Sequence, residues 1–208
     1  MPSILFRRRP VLPPARQRGF SLVEVSIVTA IVLLISIASI PAINSYVIEN
    51  KVPRVGEELQ RFVARMKANA QGAGASPYAG IDTAGLANAM RNSSVLSVSG
   101  QGSGAQVAHG LGGSGANGSG TVVLAPAVAA GGASGSAFSL TLTDVNDAAC
   151  PSLASVMQRM SEVISVAGAG GAVVVKDALA DPPLAYSAAQ AEIQCAAGDR
   201  NTFVFTVR

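Results

Sequence analysis

Hydrophobic positions divide the chain into three kinds of segment. Residues 20–43 are almost entirely apolar, with Glu24 as their only charge. Residues 44–71 continue with an amphipathic pattern, in which apolar positions recur at intervals of three and four and predict a helix. The apolar face of that helix consists of Leu59, Phe62, Val63, Met66 and Ala70. Residues 72–208 contain short apolar runs between Gly-, Ser- and Ala-rich stretches, which predict a globular domain.

The apolar run is long enough to cross a bilayer. As an α-helix its 24 residues extend ~36 Å, against a hydrocarbon core of about 30 Å. Basic residues precede it, so the positive-inside rule predicts a cytoplasmic N-terminus. A secretory signal peptide is one alternative, but its apolar region would be shorter and followed by a small-residue cleavage site. A plain membrane anchor is another, and it leaves Glu24 unexplained.

The positive charge of the chain is concentrated at its N-terminus. The whole chain carries +3, and five of its fifteen Lys and Arg lie in residues 1–19, which contain no acid. Without them, ten Lys and Arg face twelve Asp and Glu, a balance of −2. No basic patch interleaved with aromatic residues occurs elsewhere, so the sequence predicts no nucleic-acid partner.

Glu24 is unfavourable in lipid, and this points to a role for it. A charged side chain deep in a bilayer costs about 2.5–3.5 kcal/mol on insertion scales. If the chain were cut between Gly19 and Phe20, a positive α-amino group would appear one helical turn from the carboxylate. The two groups could pair within one chain or between neighbouring chains. Pairing between chains would neutralise two charges that neither chain buries easily alone, so Glu24 is predicted to act in assembly.

The stretch RGFSLVEVSIVTAIVLLISIASIPAI closely resembles the class III signal of type IV prepilins and pseudopilins. In that signal a basic leader ends in Gly, and the mature chain begins with Phe and has Glu as its fifth residue. The resemblance implies cleavage between Gly19 and Phe20, with N-methylation of Phe20. It also implies that Glu24 sets subunit registration and that the helix kinks at Pro41. Proline removes a helical hydrogen bond and clashes with the preceding turn, which gives the kink a direct physical reason.

The resemblance further implies a fold and a set of partners. The fold would be α+β, the type IV pilin fold, with a long N-terminal spine helix packed on a small antiparallel sheet with short helices. Residues 1–19 would be a cleaved leader, residues 20–43 the transmembrane and assembly half of the spine helix, residues 44–71 its amphipathic half, and residues 72–208 the exported domain. The precursor would lie in the bacterial inner membrane and the mature chain in an extracellular pilus. The partners would be copies of itself in a helical homopolymer, prepilin peptidase, an inner-membrane assembly platform with a motor ATPase, an outer-membrane secretin and minor pilins.

Two stretches resemble the type IVb branch, which includes conjugative thin-pilus and bundle-forming subunits. Residues 76–96 are similar to the segment after the type IVb spine helix, and their own pattern predicts a short helix capped by Asp82 or Thr83. Its apolar face would be Leu86, Ala87 and Met90. Residues 195–208 are the second stretch. Phe20 is more usual in type IVa pilins and pseudopilins, although the leader is long for type IVa. A minor pilin or tip adhesin and a type II secretion pseudopilin therefore remain as alternatives.

The exported domain is predicted to contain strands at residues 121–128, 137–143, 172–176 and 201–208, the last with Phe203 and Phe205 on one face. Pro151 marks the first turn of a helix, whose apolar stripe would be Leu153, Val156, Met157, Met160 and Ile164.

Residues 100–136 hold 12 Gly in 37 residues and are predicted to form surface loops that join short strands. Their GLGGSG stretch fits G-x-G-x-x-G only formally, since no helix is predicted to open from it as a dinucleotide site requires.

Cys150 and Cys195 both follow the membrane segment. Two cysteines in an exported domain are most simply interpreted as one disulfide, with two buried free thiols as the alternative. The pilin resemblance likewise implies a disulfide that clamps the C-terminal region.

His109 is the only histidine, which excludes His-based catalytic dyads and multi-histidine metal sites. Ser114 lacks the glycine of a nucleophile elbow. We therefore predict neither an enzyme nor a cofactor or metal.

Overall fold

The computed structural model describes residues 19–168 and 170–208, with the backbone alone at residues 41 and 42. Apart from Gly19, the predicted leader lies outside the described residues. The chain forms two compact units that divide between Ile40 and Pro41. Helix α1 (Leu22–Ala70) contains this boundary, and its backbone is helical at Pro41. The kink at Pro41 stays a prediction.

The elements of the second unit that follow α1 are short. They are α2 (Thr83–Met90), β1 (Ser97–Ser99), β2 (Gln106–Ala108), β3 (Val122–Ala127), β4 (Ala137–Asn146), α3 (Cys150–Met157), β5 (Val163–Ala167), β6 (Val173–Asp177), α4 (Ala188–Gln194) and β7 (Asp199–Val207). Strands β1 and β2 pair as an antiparallel hairpin. The other strands form an antiparallel sheet in the order β3-β4-β7-β5-β6.

The strand nearest the C-terminus, β7, lies in the centre of the sheet. It pairs with β4 on one side and with β5 on the other, so Phe205 stands opposite both Leu140 and Ile164. All three side chains are fully buried, because paired residues project from the same face of a sheet. Phe203 and Phe205 do share that face, and their rings stack with centroids 5.7 Å apart. The first and the last of the predicted strands correspond to β3 and β7. Both are confirmed, with small shifts of their ends.

The predicted apolar face of α1 is confirmed, and it belongs to the main core. Leu59, Phe62 and Val63 are buried, and Met66 and Ala70 are partly buried against the same cluster. The cluster also contains the inner face of the sheet and the predicted face of α2, which is Leu86, Ala87 and Met90. One helix-and-sheet core of this kind is an α+β arrangement, so the predicted fold class is confirmed.

The two residues proposed as a cap of α2 have separate roles. Asp82 is the N-cap, and its carboxylate accepts a hydrogen bond from the Gly85 backbone N–H at 2.8 Å. Thr83 instead turns to the edge strand β3. Its hydroxyl accepts from the Leu124 backbone N–H at 3.1 Å and donates to the Leu124 carbonyl at 3.4 Å. Thr83 thereby occupies backbone groups that an open sheet edge would offer to another strand.

The predicted helical stripe after Pro151 is wrong beyond Met157. Helix α3 ends there, and Ile164 lies in β5 instead. The helical spacing of Met160 and Ile164 coincides with a second pattern, in which Ile164 and Val166 alternate with half-buried residues. β-Branched residues favour a strand, and pairing of β5 with the long central strand β7 decides between the two patterns.

Gly56 lets α3 approach α1 closely. A Cβ atom at this position would overlap Cγ1 of Val156 on α3. The next turn of α1 secures the contact, because the Gln60 side-chain amide donates to the Val156 carbonyl at 2.7 Å. This bond also satisfies one of the carbonyls that the end of a helix leaves without an intrahelical partner.

We expect Gly56→Ala to change stability in opposite directions in two backgrounds. In the natural chain the clash with Val156 costs about 1–3 kcal/mol, which exceeds the gain of up to about 1 kcal/mol in helix propensity. In a Val156→Ala chain most of the clash is absent, so the same substitution should stabilise. Urea unfolding of the four chains in detergent micelles measures the coupling free energy. Equal effects of Gly56→Ala in both backgrounds would rule out the contact as the cause.

Candidate functional site

The first unit exposes its apolar side chains on all sides of α1. The large hydrophobic side chains from Phe20 to Ile40 are between 51% and 86% exposed. By length and composition α1 is able to cross a membrane, and none of its most apolar stretch is buried within the chain. An exposed apolar surface of this extent marks a site of contact with lipid or with other protein chains.

Four of the hydroxyl groups in this apolar stretch are satisfied within the helix. Four side chains each donate to a backbone carbonyl three or four residues earlier, at 2.7–2.8 Å; they are Ser26, Thr29, Ser36 and Ser39. Such bonds leave these four hydroxyl donors without need of a partner in lipid. Glu24 is different, because an ionised carboxylate only accepts hydrogen bonds and so cannot bond to a backbone carbonyl.

Glu24 and Phe20 lie beside the same groove. The groove has a volume of about 250 Å³, and the residues that line it are Phe20, Glu24, Val25, Val28 and Thr29. Within residues 19–168 and 170–208, Glu24 takes part in no ion pair. Its place in the first turn of α1 is favourable, since the N-terminal end of a helix attracts negative charge. The structure thus brings together two predicted residues and leaves the carboxylate available to a cation from elsewhere.

The structure joins Cys150 and Cys195 in a disulfide, with their Cα atoms 6.0 Å apart. Cys150 is the first residue of α3, and Cys195 directly follows α4. Helix α4 buries only Ala191, so its own apolar contacts hold it weakly. A hydrogen bond of 3.1 Å between the Ser155 and Tyr186 hydroxyls adds a second link between the two regions. The disulfide therefore fastens α4 to α3.

Asn201 is a structural residue that the sequence analysis missed. It is fully buried on β7, where its amide N–H₂ donates to the carbonyls of Val145 and Ala196, each at 2.9 Å. Its side-chain oxygen accepts from the Ala196 N–H at 2.7 Å. Asn201 thus ties the residue after Cys195 to the sheet. No local signal identifies it, because its partners lie on another strand and in a loop.

The GLGGSG stretch at residues 110–115 is no dinucleotide loop. It follows the short strand β2, but no helix opens from it and the chain continues to β3. Its backbone packs on the sheet instead: the Gly113 N–H donates to the Asp199 carboxylate at 2.8 Å, and the Asn146 N–H donates to the Leu111 carbonyl at 2.9 Å. Among the residues that the structure describes, no group of three or more His, Cys, Asp or Glu is placed to hold a metal ion.

Comparison with known proteins finds two matching family models. One, described as PilS N terminal, matches residues 55–208, and the other, the prokaryotic N-terminal methylation motif, matches residues 14–40. Among solved structures the chain is similar to the crystal structure of a type IV b pilin from Salmonella typhi. The TM-score is 0.45 at 23% sequence identity, over 74% of this chain and 95% of that one. No curated protein sequence matches the chain.

The residues that the two family models match include the segments described above. The methylation motif covers Gly19, Phe20 and Glu24, and the larger model covers the second unit from Val55 onward. The chain therefore belongs to the PilS N terminal family and is a type IV pilin, a structural subunit of a pilus and not an enzyme.

Proposed function

We propose that this chain is made as a membrane-anchored precursor and becomes a filament subunit after cleavage between Gly19 and Phe20. Prepilin peptidase would cut at that bond, and Phe20 would then be N-methylated. Residues 20–43 would hold the precursor in the inner membrane, with the second unit on the far side. An assembly platform and motor ATPase would extract the mature chain into an extracellular filament that leaves through a secretin.

The observation that supports this proposal is Glu24, a carboxylate that forms no ion pair within residues 19–168 and 170–208 and that lies on an exposed apolar helix. Four hydroxyls of the same stretch are satisfied within the helix, whereas the Glu24 carboxylate has no ion-pair partner among the described residues. Cleavage supplies one, because it creates an α-amino group at Phe20, beside the same groove. A carboxylate and an amine at this depth stabilise each other far more than either is stabilised by lipid.

Polymerisation follows from the same segment. When the helices of several chains pack together, apolar contacts between them replace contacts with lipid. The ion pair between Glu24 of one chain and the amine of the next would fix the axial offset between neighbours, since a buried pair tolerates little displacement. Residues 20–43 would then form the centre of the filament and the second unit its outside.

Intact mass and N-terminal sequencing of protein from a sheared-filament fraction test this proposal. We expect a chain that begins at Phe20, one methyl group heavier than its sequence requires and two hydrogens lighter because of the disulfide. Cells without prepilin peptidase activity are the control and should retain the longer chain in the membrane. A chain that keeps residues 7–19 in cells with active peptidase, or one cut beyond Ile40, would refute the proposal.

A further inference from the structure

His109 directly precedes residues 110–115 and is fully buried, and both of its ring nitrogens are engaged. Nδ1 lies 3.0 Å from the backbone N–H of Leu111, which donates to it. Nε2 lies 2.8 Å from the carbonyl of Thr143 on β4. The imidazole therefore bridges the backbone of residues 110–115, the glycine segment, to the sheet.

These contacts define the protonation state of the ring. A backbone N–H is only a donor, so Nδ1 must present a lone pair to Leu111, and Nε2 then carries the proton that is donated to Thr143. The arrangement requires neutral imidazole. A second proton would have to bind at Nδ1, where it would remove the acceptor for the Leu111 N–H and place a positive charge in a buried site.

Besides the bond to His109, the glycine segment has two hydrogen bonds to the sheet, and Ser114 and Gly115 bond to Ser119 in the next loop. The side chain of Leu111 is buried, its carbonyl accepts from Asn146, and the Gly113 N–H donates to Asp199. Gly113 has a φ of +66° and its backbone lies so close to Gly120 that a Cβ atom would overlap it. A segment with one large apolar side chain and a small number of backbone bonds opens locally at lower free energy than the sheet beneath it.

Two carboxylates act on the ring, and one ammonium group lies near the glycine segment. The carboxylates of Asp144 on β4 and Asp199 on β7 both favour the protonated form, and the Lys51 ammonium of α1 lies near Gly110. Burial lowers the pKa of the His109 imidazole from its ordinary value of 6.5, while the hydrogen bond to Thr143 and these two carboxylates oppose part of the shift. The unfolded or opened chain therefore binds a proton more readily than the closed chain. It follows that closure is fully stabilised above pH 6.5 and weakens as the pH falls through and below that value.

We propose that His109 is an acid-sensitive latch that holds the glycine segment against β4 and β7 at neutral pH and releases it when the ring is protonated. Release frees the N–H of Leu111 and separates the segment from the sheet, while the core formed by β4, β7 and α1 stays intact. Mild acid thereby changes the surface that the protein presents without unfolding it. This inference is independent of cleavage and polymerisation, because every residue that carries it lies in the second unit.

Nuclear magnetic resonance of the full chain in detergent micelles tests the latch between about pH 8 and pH 5, a range in which model Asp and Glu side chains stay mostly ionised. Because the chain has a single histidine, the imidazole signals report the protonation of His109 directly. Amide-exchange protection at Leu111 and Gly113 reports the glycine segment, and protection at Val204 on β7 reports the sheet. We expect protection at Leu111 and Gly113 to be lost over the same pH interval in which the ring titrates, with Val204 unchanged.

The matched variant is His109→Gln, whose uncharged side chain has one acceptor and one donor group and does not titrate. In this variant we expect no loss of protection at Leu111 on acidification. Asp199→Asn is the second variant, and it should retain the acid response because the histidine remains. Loss of protection at Val204 together with Leu111, no loss at Leu111 when the ring titrates, or an unchanged acid response in His109→Gln would each overturn the proposal.

Discussion

Replacing Glu24 with glutamine is expected to yield a chain that is cleaved at Gly19–Phe20 but stays in the membrane and is missing from filaments. Glutamine keeps the shape of the side chain and loses its charge, so it cannot neutralise the α-amino group at Phe20. Removing one partner of a desolvated ion pair costs about 3–5 kcal/mol. Since 1.4 kcal/mol corresponds to a factor of ten, addition of a subunit should weaken by about a hundredfold or more.

Thr29→Val is the matched control for this variant. Thr29 lines the same groove as Glu24, and its hydroxyl donates only to the Val25 carbonyl of its own helix. Its removal therefore leaves no group unpaired, and assembly should be close to normal. The measurement is the ratio of protein in the sheared-filament fraction to protein in the membrane fraction, with N-terminal sequencing of both.

Two results would contradict the assembly role. Filaments of normal yield from Glu24→Gln would show that the carboxylate is dispensable for subunit addition. An uncleaved Glu24→Gln chain would place the defect in processing by the peptidase. The sequencing step separates these results from the expected one, in which the mature N-terminus is present and the filament is not.

Loss of the disulfide is the second large effect that we expect. A bond that closes a loop over 45 residues stabilises the folded state by about 4 kcal/mol in the chain-entropy model. A chain with both Cys150→Ser and Cys195→Ser should lose stability of that order and accumulate less as an exported protein. The first cleavages by protease should fall near α4, because α4 is fastened by this bond and buries only Ala191.

The natural chain under a reducing agent is the control for the cysteine variant. It should lose protease resistance at the same place, since reduction removes the bond and leaves the side chains otherwise unchanged. Urea unfolding in detergent micelles measures the free energy in each case. An unfolding midpoint unchanged by both treatments would show that the contacts of Ala191 and Tyr186 hold α4 by themselves.

The sequence predicted the features that depend on neighbouring residues. The length of the apolar run, the place of Glu24 in it, the cap of α2 at Asp82 or Thr83 and the apolar face of α1 are all local patterns. The alternation in the last strand also predicted that Phe203 and Phe205 share a face. Each of these is determined within a few turns of helix or a few residues of strand, so no knowledge of the fold was needed.

The strand β5 shows where local patterns stop being sufficient. Ile164 satisfies both a helical spacing from Met160 and a strand alternation with Val166, and the chain around it does not choose between them. The choice comes from β7, which lies about forty residues later in the sequence and offers a free edge. Pairing of distant segments overrides local preference in a sheet, because packing against neighbours dominates strand propensity.

By itself, then, the sequence determined the apolar helix, the position of its one charge and the kind of protein that such a helix builds. Only the tertiary structure decided that Gly56 must be small, that Asn201 holds the chain after the disulfide and that His109 bridges the glycine segment to β4. Each of these three roles depends on a partner from a different element, Val156, Val145 and Thr143. The physical reason is that buried polar groups and close backbone contacts are satisfied by atoms that the folded chain brings together, whatever their distance along the sequence.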